Sequence, residues 1–119
     1  RVITKEFFDI RAFFIGVLVL NKYEEKKVDY SKYVNLPKMN KGYEGQFAVQ
    51  LQNMLEEYGS FPSNIPKYPR FGSQTAKALL QWQLENLTNI DRETLMSWGG
   101  NYFGNATIKK IKELANNNS

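Results

Sequence analysis

The sequence predicts an all-α fold, a small helical bundle with an additional apolar N-terminal helix and long connectors. Three segments after residue 45 place apolar residues at intervals of three and four, the spacing of one helix face. The pattern Phe-Gly-x-x-Thr occurs twice, at 71–75 and 103–107, and each copy opens such a segment. Prolines and glycines cluster between the segments, as is typical of connectors that end helices.

The repeated pattern is what the start of a helix requires, because the first amide groups of a helix have no partner inside it. Glycine can serve as the N-cap, and Gly72 and Gly104 stand at that position. A hydrophobic residue just before the cap can pack on the fourth helical residue. We therefore expect both copies to fix how a connector leads into a helix.

Length and composition limit what the chain can do. A chain of 119 residues is enough for one ordinary domain with a short appendage. We predict an N-terminal helix with a polar connector at 1–41 and a three-helix domain at 42–119. Cysteine and histidine are both absent, which removes disulfides, thiolate nucleophiles, imidazole bases and the usual zinc ligands. No metal site and no cofactor are predicted.

The first segment, residues 4–23, is strongly apolar, with helical spacing at Phe7, Ile10 and Phe14. The β-branched run at 15–19 leaves open whether residues 12–20 form a helix or a strand. The longest apolar run, 12–20, is too short to cross a bilayer, which takes about 20 residues. We therefore predict no membrane span. A helix face this apolar should be buried against another part of the protein or against a partner. Because the chain opens at Arg1, we expect it to be part of a longer protein.

The remaining elements follow in order. Residues 24–45 are polar and rich in tyrosine and lysine, and are predicted to form a connector laid over a surface. A helix is expected from Gln46 to Gly59, since glycine commonly ends helices. Three prolines make 60–70 a stiff loop. A second helix is predicted over 73–87. Residues 89–102 are predicted to form a second connector, which contains a one-turn helix at 92–98. A final helix is predicted from about 105.

These residues resemble the small three-helix peptidoglycan-binding domain of bacterial and phage cell-wall hydrolases. That family has a Leu-Gln pair in its first helix, a glycine, a loop, Phe-Gly-x-x-Thr, an aromatic-Gln pair, and a shorter Gly-x-x-Thr helix. The matching elements here are Leu51-Gln52, Gly59, 71–75, Trp82-Gln83 and 103–107. The resemblance covers about residues 42–114. It implies a three-helix bundle that performs no chemistry and holds a catalytic partner against the wall.

Two departures concern the ligand. The Asp-Gly pair that usually precedes Phe-Gly is replaced by Pro69-Arg70, and the loop after Gly59 is longer and rich in proline. Such connectors form the rim of the family's shallow groove. Arg70 is a candidate partner for a stem-peptide carboxylate, because a guanidinium matches that geometry, and a solvated surface arginine is the alternative.

Aromatic residues in the connectors are the other candidates for the ligand site. Phe61, Tyr68 and Trp98 can stack on sugar rings if exposed, and packing against the core is the alternative for each. Tyr102, in the second connector, completes the predicted ligand-binding set. Trp82 is expected in the core, where large aromatics at helical spacing usually lie.

Catalysis is not predicted. A glycosidase needs two carboxylates about 5 to 9.5 Å apart across a cleft, one with a raised pKa. Glu24 and Glu25 are adjacent, point to different sides of any helix and lie among lysines, which lower carboxylate pKa values. The other acidic residues are spread along predicted helix surfaces.

The expected function is therefore non-catalytic binding of peptidoglycan or another anionic wall polymer, with a net charge of +4 favouring anionic partners. The expected location is the cell envelope, the cell exterior or a phage particle. The alternative is a structural or protein-interaction module that docks a partner protein or a missing domain through the apolar N-terminal helix. Nucleic-acid binding ranks last, because no recognisable motif accompanies the charge.

Overall fold

Four α-helices make up most of the chain between residues 28 and 117, which the computed structural model describes. A short antiparallel sheet of two strands and one turn of 3-10 helix complete it. In chain order the elements are the 3-10 helix Tyr30–Tyr33, β1 Met39–Asn40, α1 Gln46–Tyr58, α2 Ser73–Asn86, α3 Arg92–Trp98, β2 Tyr102–Phe103 and α4 Asn105–Asn117.

The predicted mostly helical class is confirmed, with a small sheet that the all-α prediction did not include. The predicted apolar helix within 4–23 lies outside the described residues. The choice between helix and strand for residues 12–20 and the docking role of this segment therefore stay predictions. A two-residue strand has too weak an alternation to be recognised in a sequence. The sheet arises instead from tertiary pairing of β1 with β2.

Glycines lie at both ends of α1 and at the start of α2, and those at 59 and 72 lie where the sequence predicts them. Gly45 and Gly72 are the N-caps of α1 and α2. Gly59 ends α1 in the left-handed conformation, with φ of +107°, and its N–H donates to the carbonyl of Leu55 at 3.0 Å. Such a left-handed residue pairs the last carbonyls of a helix at low cost only if it lacks a Cβ. The predicted boundary at Gly59 is therefore confirmed.

The core lies where α1, α2 and the two Phe-Gly motifs meet. Trp82 is fully buried, as predicted, and its indole Nε1 donates to the hydroxyl of Tyr30 at 3.1 Å. The largest other apolar side chains with essentially no exposure are Leu51, Met54, Leu55, Phe71, Leu79, Leu87, Leu95, Phe103 and Ile111. Burying an aromatic ring of this size contributes more than any aliphatic neighbour, so Trp82 anchors the core.

The described part of the N-terminal connector packs into this same core. Its buried residues are Val28, Tyr30, Tyr33, Leu36 and Met39. A tyrosine can be buried when its hydroxyl finds a partner, and the hydroxyl of Tyr33 donates to the carboxylate of Glu57 on α1. Residues 28–40 are therefore part of the packed domain rather than a connector on its surface. The boundary predicted between 41 and 42 stays a prediction.

Candidate functional site

A buried glutamine fastens each Phe-Gly motif to the helix before it. On α1, the side-chain amide of Gln52 donates to the carbonyl of Arg70 at 3.0 Å and to Oγ1 of Thr75 at 2.9 Å. On α2, Gln83 makes the same two bonds, each 3.0 Å long, to the carbonyl of Tyr102 and to Oγ1 of Thr107. The sequence repeat is therefore also a structural repeat. We call the buried glutamine with its two hydrogen bonds, to the carbonyl before the motif phenylalanine and to the motif threonine, the glutamine clasp.

The clasp places the motif threonine and the residue before the motif phenylalanine at equal positions in both copies. Both glutamines are buried, at 3% and 0% exposure. Their amide groups are held on two sides, so the chain must enter each following helix along one path. The sequence signal was present in Leu51-Gln52 and Trp82-Gln83, but the periodicity alone did not tell a clasp from an ordinary helix position.

The two clasps differ in one hydrogen bond. Oε1 of Gln52 accepts from the backbone N–H of Tyr68 at 3.1 Å. Oε1 of Gln83 is buried and has no hydrogen-bond partner among the residues that the structure describes. An unpaired buried acceptor costs about 1–3 kcal/mol, so the second clasp is the weaker one.

Residues 39–45 join the two motifs. Asn40 pairs with Tyr102 in the sheet, and four residues later Glu44 pairs with Arg70 in an isolated bridge. Between these pairs, the N–H of Lys41 donates to the carbonyl of Asn101 at 2.8 Å. The connector thus holds the two copies side by side, in the same register.

The backbone N–H groups of two consecutive residues, Lys41 and Gly42, donate to carbonyls of different repeats. While Lys41 binds Asn101, the N–H of Gly42 donates to the carbonyl of Phe71 at 2.7 Å. Consecutive backbone amides are less than about 4 Å apart. The carbonyl oxygens of Phe71 and Asn101 therefore lie within about 10 Å of each other.

A groove opens at the start of the helix in each repeat. The first groove has a volume of about 300 Å³ and is lined by Gln52, Phe61, Ile65, Pro66, Tyr68, Arg70 and residues 72–75. The second groove has a volume of about 230 Å³ and is lined by Trp98, Tyr102, Gly104, Asn105, Ala106 and Thr107. The two therefore use the same positions of the repeated motif.

The predicted ligand residues fall into these two grooves. Phe61, Tyr68 and Arg70 line the first groove, and Trp98 and Tyr102 line the second. Tyr68 and Tyr102 are well exposed, at 63% and 50%. The structure thus groups the five residues by repeat rather than in one cleft.

Phe61 packs in the core, which is the alternative to an exposed ring that the sequence left open. Its side chain is 3% exposed and belongs to the core, so the expectation of an exposed stacking ring is wrong for this residue. Its backbone N–H donates to the carbonyl of Leu55 at 3.1 Å, which folds the proline-rich loop back onto the end of α1 and drives the ring inward. Trp98, the last residue of α3, is half-buried and packs partly against the core.

A third hollow, of about 520 Å³, is basic. It lies between the end of α2 and the first turns of α4, and its lining includes Lys109, Lys110, Asn89 and Glu113. Lys110 approaches Glu113 at 3.9 Å, which is a loose ion pair between partly exposed groups. Lysines on a wet surface attract polyanions in a salt-sensitive manner.

The acidic side chains and the helix lengths of residues 28–117 bear on metal binding and on membrane insertion. In this range no group of three or more Asp, Glu, His or Cys side chains is arranged to hold a metal ion. Nor does any helix of the described range combine the length and apolar character needed to cross a bilayer.

Comparison of the chain with protein-family models, with curated proteins and with solved structures found no match. Function is therefore inferred from the two grooves, the exposed aromatic residues beside them and the motif resemblance.

Proposed function

We propose that this chain is a non-catalytic module that binds bacterial cell-wall peptidoglycan and so anchors a larger envelope or phage protein. The observation that carries the proposal is the pair of shallow grooves beside exposed tyrosines, Tyr68 and Tyr102. A tyrosine ring offers an apolar face to a sugar ring and a hydroxyl to its polar edge. The motif resemblance adds the ligand class.

The polar groups in the grooves fit the same ligand. Arg70 lies at the rim of the first groove with an exposed side chain, and a guanidinium binds the carboxylates that stem peptides carry. Shallow grooves of this size suit a glycan lying across a surface better than a small molecule, which usually needs a deeper cavity.

A second wall polymer is supported by a separate observation, the basic hollow around Lys109 and Lys110. A phosphodiester polymer such as teichoic acid would bind there through charge. This mode should disappear at about 1 M salt, where the Debye length is about 3 Å. Binding by stacking and by hydrogen bonds in the grooves should persist.

Co-sedimentation with insoluble peptidoglycan sacculi tests the proposal. The purified chain is mixed with sacculi, with and without teichoic acid, across a salt series. We expect retention at high salt that falls when Tyr68 or Trp98 is changed to alanine. Phe47→Ala is the matched control, because Phe47 is also exposed, at 39%, but lines neither groove.

The outcomes separate the two polymers. If retention requires teichoic acid and is lost with Lys109→Ala and Lys110→Ala at low salt, the basic hollow is the site. If the chain stays in the supernatant with every preparation, the wall-binding proposal is wrong.

A further inference from the structure

We infer that the two grooves are equivalent subsites with different charge preferences, and that they bind one glycan in which carboxylate-bearing units alternate with uncharged sugars. The first groove takes the carboxylate-bearing unit and the second takes the uncharged sugar ring. This inference rests on the proposed function and assigns a ligand unit to each groove.

The equivalence of the grooves comes from the repeat. Each groove is lined by the residue before the motif phenylalanine, by the motif glycine and by the motif threonine. In both repeats the glutamine clasp fixes the threonine hydroxyl and the carbonyl at the rim with almost equal bond lengths. Two surfaces built on the same backbone path present the same arrangement of groups, so we expect them to bind related units.

The difference in charge comes from one position of the repeat. The residue before the motif phenylalanine is Arg70 in the first groove and Tyr102 in the second. The side chain of Arg70 is 64% exposed, and its Nη1 is 4.0 Å from Oε2 of Glu44, the limit of an ion pair. Glu44 is itself 72% exposed. A pair this loose leaves the guanidinium free to bind a ligand carboxylate, which it can contact through two parallel hydrogen bonds.

The second groove disfavours a charged ligand. All six residues that line it are uncharged, and two of them, Trp98 and Tyr102, are aromatic. A carboxylate placed there would lose water without gaining a cationic partner, which is costly. The apolar face of an uncharged sugar ring suits the two aromatic rings instead.

The spacing allows both grooves to be used by one ligand. Phe71 lies between Arg70 and Gly72 of the first groove, and Asn101 directly precedes Tyr102 of the second. Their carbonyl oxygens lie within about 10 Å of each other, because Lys41 and Gly42 bind them with adjacent amides. A short oligosaccharide can bridge such a distance. Once one unit is bound, the second binds at a high effective concentration, so a polymer should bind much more tightly than either unit alone.

The test is an NMR titration of the isotope-labelled chain with two soluble probes. Muramyl dipeptide supplies an N-acetylmuramic acid unit with a carboxylate, and tetra-N-acetylchitotetraose supplies uncharged rings. We expect muramyl dipeptide to shift the backbone amides of 72–75 and chitotetraose to shift those of 104–107.

Matched variants assign the effects. Arg70→Gln should weaken muramyl dipeptide binding about tenfold, the loss expected for one charge-assisted contact, and should leave chitotetraose binding unchanged. Trp98→Ala should do the reverse. Because the side chain of Arg70 is exposed, the Arg70→Gln variant should fold. Unchanged chemical shifts of the backbone amides outside the grooves would confirm that it does.

The inference fails if both probes shift only one groove, if Arg70→Gln weakens both probes equally, or if neither probe shifts either groove. Retention on sacculi is measured independently. A chain that sediments with sacculi but shows one of these results retains the proposed function and loses the two-groove assignment. A chain that does neither loses both.

Discussion

The unpaired acceptor of Gln83 makes the two clasps unequal in energy, and this can be measured. Methionine is close to glutamine in length and shape but cannot form the hydrogen bonds, so Gln52→Met and Gln83→Met each delete one clasp. At Gln52 the change removes three hydrogen bonds, to the carbonyl of Arg70, Oγ1 of Thr75 and the N–H of Tyr68. At about 1 kcal/mol for each bond, we expect a loss of about 3 kcal/mol.

At Gln83 two bonds are lost, but a buried acceptor without a partner in residues 28–117 is removed with them. Relief of that acceptor returns about 1 kcal/mol or more, so the net loss should be about 1 kcal/mol. The difference between the two variants, about 2 kcal/mol, corresponds to about 8 °C in melting temperature for a domain of this size.

Urea unfolding, followed by far-ultraviolet circular dichroism, measures both values. The slope of the free energy of unfolding against urea should stay constant, because the surface exposed on unfolding is nearly the same. Gln81→Met is the control for the helix itself, since Gln81 is an exposed residue of α2, and it should change stability by less than about 0.5 kcal/mol. Equal losses for Gln52→Met and Gln83→Met, or a larger loss for Gln83→Met, would refute the reasoning about the unpaired oxygen.

Two further predictions concern backbone space and pH. Gly100 has φ of +75°, and a Cβ there would lie 1.9 Å from the carbonyl oxygen of Ala76, so Gly100→Ala should cost more than about 2 kcal/mol in a thermal melt. Gly104→Ala, where a Cβ meets nothing within 4 Å, should cost about 1 kcal/mol or less, and similar losses would contradict the close approach. Burial, followed by the hydrogen bond to Glu57, raises the pKa of Tyr33 above its ordinary value of 10.0. Its contribution to stability is therefore complete below pH 10 and is lost as the pH rises further. Tyr33→Phe should lose less stability than the parent chain between about pH 9 and about pH 11 in urea unfolding, and equal losses would count against this assignment.

Local patterns were enough to locate the helices. Glycine and proline act through backbone conformation alone, so Gly59 and the prolines of 60–70 predicted where α1 ends, and the structure confirms the boundary. The same holds for α2, where Gly72 is the N-cap as expected. The burial of Trp82 was also predictable, because it occupies the apolar face of a helix.

The connectors were harder to predict, because their burial depends on partners distant in sequence. Tyr30 and Tyr33 looked like parts of a polar surface arm, yet their hydroxyls bind Trp82 and Glu57, and their rings enter the core. For Phe61 the sequence likewise predicts a ring available to a ligand, but the loop folds back on α1 and buries it. A tyrosine or a phenylalanine in a connector can face water or core, and only the surrounding structure decides which.

The sequence by itself determined that this is a helical protein with a motif written twice, since helix starts and stops depend on neighbouring residues. Tertiary structure alone decided what the repetition builds. It brought Gln52 and Gln83 to equivalent clasps, placed residues 39–45 between the motifs, and divided the candidate ligand residues between two grooves. The physical reason is that these contacts join residues 18 to 64 positions apart, whose pairing is fixed by the packing of the whole chain and not by any local spacing.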